Sequence, residues 1–203
     1  MSAPAADGTL LRHAAIDRAF HWVTAVVMLL LLGTGLLPVM GLRFAWFDIH
    51  WIAGLLLTAA ILLHLLRVLT VQGLKAMHLR RSDFAQLRGA ANAGKYTLQQ
   101  KAIHLAWTVA VLLGIVTGWF LMVKAGVPFL DRNAYLFGRV TWGVLTVLHD
   151  LSALLALFLL MVHVYFGLLP EKRAYLRAML RGGRIGRSEL GPEHDLDKVA
   201  RGE

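Results

Sequence analysis

Two histidines on the last apolar stretch, His149 and His163, are the residues of this chain best suited to chemistry. They lie in HDLSALLALFLLMVHVY, where Asp150 is the one formal charge. Their separation of ~14 residues is ~21 Å of helix at ~1.5 Å per residue. At ~100° per residue both side chains return to nearly the same face. A hydrocarbon core is ~30 Å thick, so one helix offers an imidazole near each membrane surface, both directed into the same bundle. Polar side chains at that depth are costly and are kept for function. Two stacked metal centres, each taking a ligand from this helix, are the economical reading.

The elements that must position them follow from composition. The chain has 203 residues and is 58% hydrophobic, against about 45–50% for a soluble domain. Four apolar stretches, Phe20–Met40, Trp51–Val71, Ile103–Val123 and Val144–Leu169, reach the ~20 residues a spanning helix requires. The predicted fold is all-α: an integral membrane four-helix bundle with short interfacial helices. No short apolar segment ending in a cleavage site precedes the first span, which is expected to remain as an anchor. There is no cysteine, which excludes thiolate-bound iron–sulfur clusters, disulfides and the covalent attachment of c-type haem.

The net charge of +9 does not point to nucleic acid, because of where the charge lies. Arg12 and Arg18 precede the first span, Lys75, Arg80, Arg81, Arg88, Lys95 and Lys101 lie between the second and third, and six basic residues from Lys172 to Arg187 follow the fourth. The other loops carry little. Positive charge is retained on the cytoplasmic side, so both termini and the central loop are expected there.

Along the chain, residues 1–16 read as a flexible N-terminus, 17–182 as the membrane domain and 183–203 as a charged cytoplasmic tail. Met1–Leu11 is expected to be mobile, as is the tail from Ser188. Asp48 reads as the N-cap of the second helix. Gly33 and Gly35, and the small-xxx-small pair Gly114 and Gly118, allow close approach of a helix or a flat ring, with plain helix packing the simpler reading of the second pair. The connection Lys124–Thr141 is expected to hold a short surface helix. EKRAYLRAMLRGGR, from Glu171, reads as a basic interfacial helix. The central segment Gln72–Gln100 is too long for a tight turn and suits the docking of a partner.

Charge asymmetry places each histidine in depth. On the outer side His50 and His149 are the two candidates, and facing imidazoles would ligate a haem iron axially, a closed coordination that favours electron transfer. On the cytoplasmic side His163 has three candidate partners, His21, His64 and His104, and spacing leaves the choice open. The simpler readings are an interhelical hydrogen-bonding role for His64, a water-boundary position for His104, and a solvated surface for His13, His78 and His194.

These residues resemble the di-haem cytochrome b family of membrane anchors, which includes the gamma subunit of respiratory formate dehydrogenase, the cytochrome b subunit of nickel–iron hydrogenases and bacterial cytochrome b561. The resemblance runs from Arg18 to Gly182. Its strongest piece is HDLSALLALFLLMVHVYFG. FHW at Phe20–Trp22 is similar to the family's first-helix ligand motif, HWIAGLLL from His50 to its second, and GKYTLQQK from Gly94 to the segment before helix three. The resemblance implies two non-covalent haem b groups, one held by His50 and His149 and the other by His21 and His163. It leaves His64 without a ligand role, free to serve a haem propionate or a quinone-site proton. It also implies a quinone site, menaquinone in relatives of the formate dehydrogenase type, at Tyr96, Thr97 and Gln100, with Lys95 and Lys101 as neighbours. Thr97 stands where those relatives carry asparagine.

The function expected on that footing is transfer of electrons between a partner oxidoreductase and the quinone pool of the bacterial inner membrane. The partner would be a catalytic, iron–sulfur or haem-containing subunit, since the chain shows no clear nucleophile or soluble redox domain of its own. The alternatives are a stand-alone cytochrome b561 quinone oxidoreductase that oxidises a small reductant such as superoxide, a histidine-lined transporter, and a passive anchor. Transporters usually show inverted repeats and broken helices, and neither is clear in this sequence.

Overall fold

The computed structural model describes residues 8–72, 83–84 and 96–191. Four long helices dominate: α1 (Ala15–Leu36), α2 (Trp46–Arg67, continued by a π-helical turn at Val68–Gln72), α3 (Leu98–Ala125) and α4 (Arg139–Leu168). A short α5 (Arg173–Leu180) follows, and two three-residue strands, β1 (Thr9–Leu11) and β2 (Arg184–Gly186), pair antiparallel. All four long helices are long and apolar enough to cross a membrane, and the longest has 30 residues. That is ~45 Å at ~1.5 Å per residue, more than the ~30 Å hydrocarbon core requires. Their outward faces are bare hydrocarbon: Leu62, Leu63, Phe158 and Met161 are each at least 60% exposed. Water would not tolerate such a surface on a monomer, and lipid does.

The chain divides into two compact units. One comprises residues 22–64 and 106–161, and here the four helices pack as a bundle. Leu32, Ala110, Ala156 and Leu159 form one core cluster, and Val27, Ala53 and Leu57 form another. α1 ends in a Schellman motif. Leu42 N–H reaches the Leu37 carbonyl at 3.1 Å, Gly41 N–H reaches that of Pro38 at 3.0 Å, and Gly41 takes φ +93°. Only glycine adopts that conformation without strain.

The other unit comprises residues 1–21, 65–105 and 162–203. Its centre is the β1–β2 clasp, which pairs Thr9 with Gly186 and Leu11 with Arg184. Ile185 and Ala178 are buried beneath it, at 2% and 0% exposure. Gly183, at φ +73°, puts its carbonyl where both Arg12 and His13 N–H donate to it, at 2.8 and 3.0 Å. Arg12 is itself buried, with its guanidinium over the rings of Tyr96 and Tyr175 at 5.7 and 5.0 Å. Asp17 and Arg67 form an ion pair, and Lys101 pairs with Asp83 at 2.9 Å in a buried position.

The four spans match the sequence reading, and each helix begins ahead of its apolar core, at Ala15, Trp46, Leu98 and Arg139, while α1 ends at Leu36, short of the expected Met40. Four expectations are corrected. Thr9–Leu11 is a strand rather than mobile chain, because its backbone pairs with β2. The start of the tail is ordered, with a 3-10 turn at Arg187–Glu189 and an Arg177–Glu189 ion pair at 3.0 Å. Asp48 is not the N-cap: α2 begins at Trp46, and Asp48 accepts the Trp51 indole N–H at 3.1 Å from within the first turn. The connection 126–138 holds a turn closed by Val127 and Leu130 rather than a helix. Readings made on Lys75, His78, Arg80, Arg81, Arg88, Lys95 and His194 lie outside the described residues.

Candidate functional site

Two pairs of imidazoles face each other, one in each unit. In the bundle unit, His50 on α2 and His149 on α4 have ring centres 6.1 Å apart, with planes at 72°. In the unit that holds the termini, His21 on α1 and His163 on α4 have ring centres 5.9 Å apart, with planes at 49°. Each pair draws on two helices, and α4 contributes to both. Of the three candidate partners for His163, His21 brings its ring to this distance. His64 is assigned to the bundle unit, and His104 is exposed in the terminal unit.

The surroundings of the first pair are built in duplicate. His50 Nδ1 lies 2.8 Å from Thr34 Oγ1 on α1, and His149 Nδ1 lies 2.9 Å from Thr117 Oγ1 on α3. Each threonine hydroxyl also reaches a carbonyl of its own helix at 2.6 Å, Leu30 for Thr34 and Leu113 for Thr117. The residue after each threonine is glycine. A Cβ at Gly35 would stand 3.6 Å from His50 Cε1, and one at Gly118 would stand 3.2 Å from His149 Cε1. Gly114 faces Ser152 Oγ, 3.1 Å from where its Cβ would be. The Gly114–Gly118 pair therefore serves close packing of α3 on α4, as the simpler reading held, and at Gly118 the group that approaches is an imidazole. Reasoning from sequence did not single out Thr34 or Thr117. The signal was the repeated Thr-Gly in LLGTGLL and IVTGWF.

The segment before α3 caps that helix. Thr97 and Gln100 form a capping box: Thr97 N–H donates to Gln100 Oε1 at 3.0 Å, and Gln100 N–H donates to Thr97 Oγ1 at 3.3 Å. Their side chains satisfy the start of α3. Tyr96 is half-buried beside Arg12, and burial pushes its phenol above the ordinary value of about 10, against the pull of the Arg12 charge.

A family model described as prokaryotic cytochrome b561 matches residues 12–182. No curated protein matches the chain. The cofactor that family implies is haem b, and the donors present suit it. A bond from a first-row metal to imidazole nitrogen is about 2.0–2.1 Å, and the ring centre lies about 1.1 Å beyond the nitrogen. Two imidazoles on opposite sides of one iron thus have centres about 6.3 Å apart, within half an ångström of both observed separations. Among the described residues no group of three or more His, Asp or Glu converges as a metal site. A two-donor pair suits an ion whose other four ligands come from a macrocycle.

Proposed function

Because the chain belongs to the prokaryotic cytochrome b561 family, and is therefore a multi-pass membrane protein of the b-type cytochromes that carry electrons, we propose that it is the di-haem membrane subunit of a respiratory oxidoreductase. In this reading His50 and His149 hold one haem b, and His21 and His163 hold the other. The haems, when bound, supply one-electron chemistry. The chain would supply imidazole nitrogens, a low-dielectric sheath and fixed orientation. With both imidazoles of a pair engaged, a haem held there would serve electron transfer rather than oxygen chemistry. The observation that carries the reading is the pair of imidazole separations, 6.1 and 5.9 Å, on helices that share α4. Arg18 Nε is buried and lacks a hydrogen-bond partner among the described residues. One turn before His21, it suits a propionate carboxylate.

Charge asymmetry supports a cytoplasmic position for both termini, in the bacterial inner membrane. The His21–His163 centre then serves the cytoplasmic surface, where a quinone such as menaquinone takes up protons. Tyr96, half-buried beside Arg12, is the side chain assigned to it in this reading. Its raised phenol stays protonated and donates a hydrogen bond to a quinone carbonyl, while Thr97 and Gln100 hold the helix start beside it. A partner subunit with iron–sulfur clusters, haem or another catalytic centre would exchange electrons at the His50–His149 site.

Haem quantitation and a reduced-minus-oxidised spectrum of the purified chain test the reading. Two haem b per chain are expected, and one in His149→Ala. One or none in the wild type, or two retained in His149→Ala, would overturn it.

A further inference from the structure

Resting on the reading that His50 and His149 hold a haem, we infer that Thr34-Gly35 and Thr117-Gly118 are a duplicated ligand seat that fixes the tautomer of both histidines and lowers the reduction potential of that centre. Each threonine hydroxyl has one proton to give and lone pairs to receive. The 2.6 Å contacts to the Leu30 and Leu113 carbonyls take the proton. What faces His50 Nδ1 at 2.8 Å and His149 Nδ1 at 2.9 Å is therefore an acceptor. Both rings are held with the proton on Nδ1, and Nε2 is left with its lone pair for a metal. The seat is buried: Thr34 is 5% and Thr117 2% exposed. Gly118 gives the His149 ring its room, since a Cβ there would stand 3.2 Å from Cε1, and Gly35 lies at ordinary contact distance from the His50 ring.

This arrangement does more than join helices. A ligand imidazole whose second nitrogen donates to an acceptor is a stronger base toward its metal. It favours the oxidised, more positive iron, so the potential is lower than that of a haem whose ligands donate to nothing. Other threonines give the contrast: Thr70 and Thr146 also bond the carbonyl four residues back, at 2.8 and 3.0 Å. A role confined to helix structure would be shared by all of them. A role toward the ligand belongs to Thr34 and Thr117.

Thr34 and Thr117 are positioning residues, and the test reads the potential rather than turnover. The holoprotein in detergent is titrated optically, which should resolve two haem components. In Thr34→Val and in Thr117→Val, one component is expected to shift upward and the other to stay, and the double variant should shift further. That haem should also dissociate about 10- to 100-fold more readily. Thr34→Ser and Thr117→Ser should restore the wild-type titration, and Thr146→Val should leave it unchanged. Where a valine variant fails to accumulate, Thr34→Cys and Thr117→Cys, which keep only a weak acceptor, should give a smaller upward shift. Two haems with unmoved potentials in these variants, or the same shift in Thr146→Val, would overturn the seat alone. A wild-type chain lacking the second haem would instead remove the premise and the seat with it.

Discussion

At His149 the fit of a single ring is set by what Gly118 lacks. A methyl group there would sit 3.2 Å from Cε1, closer than nearly all such contacts, whereas at Gly35 it would stand 3.6 Å from His50, an ordinary van der Waals distance. The two positions look alike in sequence and are expected to respond differently. Gly118→Ala should cost about 1–3 kcal/mol through overpacking and deplete the haem held by His149. Gly35→Ala should be tolerated, as should Gly143→Ala, which has nothing within 4 Å. Haem content per chain and thermal melting check this, and equal loss at Gly35 and Gly118 would contradict it. The histidines were legible because an imidazole in an apolar run is expensive. Thr34 and Thr117 were not, because a threonine in such a run satisfies its own hydroxyl on the preceding turn. Its second bond depends on a ring from another helix, which no local pattern reveals.

The helices were legible as elements because each needs about 20 apolar residues to cross, and composition supplies that directly. Their ends were not, because outside the hydrocarbon a helix continues through any residue that is capped. α3 starts at Leu98, ahead of its apolar core, since Thr97 and Gln100 cap it. In sequence TLQQ reads as binding residues, and its capping hydrogen bonds depend on the backbone start of α3, which no residue type alone reveals. The elements of the terminal unit meet at Arg12, between Tyr96 ahead of α3 and Tyr175 on α5. Because burial raises the Tyr96 pKa, the folded chain holds that proton more tightly than the unfolded one. This contribution is intact below about pH 10 and is lost as pH rises through the elevated folded value. Melting temperature in detergent should therefore fall above about pH 10, and less steeply in Tyr96→Phe. An identical slope in both proteins would show that another group controls it.

For the whole molecule, the division into two units predicts separable damage. The β1–β2 clasp, α5, His21 and His163 belong to one unit, and His50, His149 and their threonines to the other. Removing residues 1–11 strips β1 from β2 and exposes Ile185, now 2% exposed. At about 25 cal/mol per Å² of apolar surface, burying that side chain is worth roughly 2 kcal/mol. The shortened chain should lose haem from the His21–His163 pair first and keep the Thr34 and Thr117 seats intact. Loss of the other haem first, or no change in haem content or melting, would argue against that division. Neither strand was legible in sequence, because three residues without alternation carry no periodic signal, and their partners stand at opposite ends of the chain. That same pairing closes the polypeptide on itself: Arg187 N–H reaches the Gly8 carbonyl at 3.3 Å. A short peptide tie between these two residues would make a ring of the backbone, which could then be cut open at one of the loops joining the spans. The order in which the helices enter a bilayer could thus be rewritten without moving a ligand.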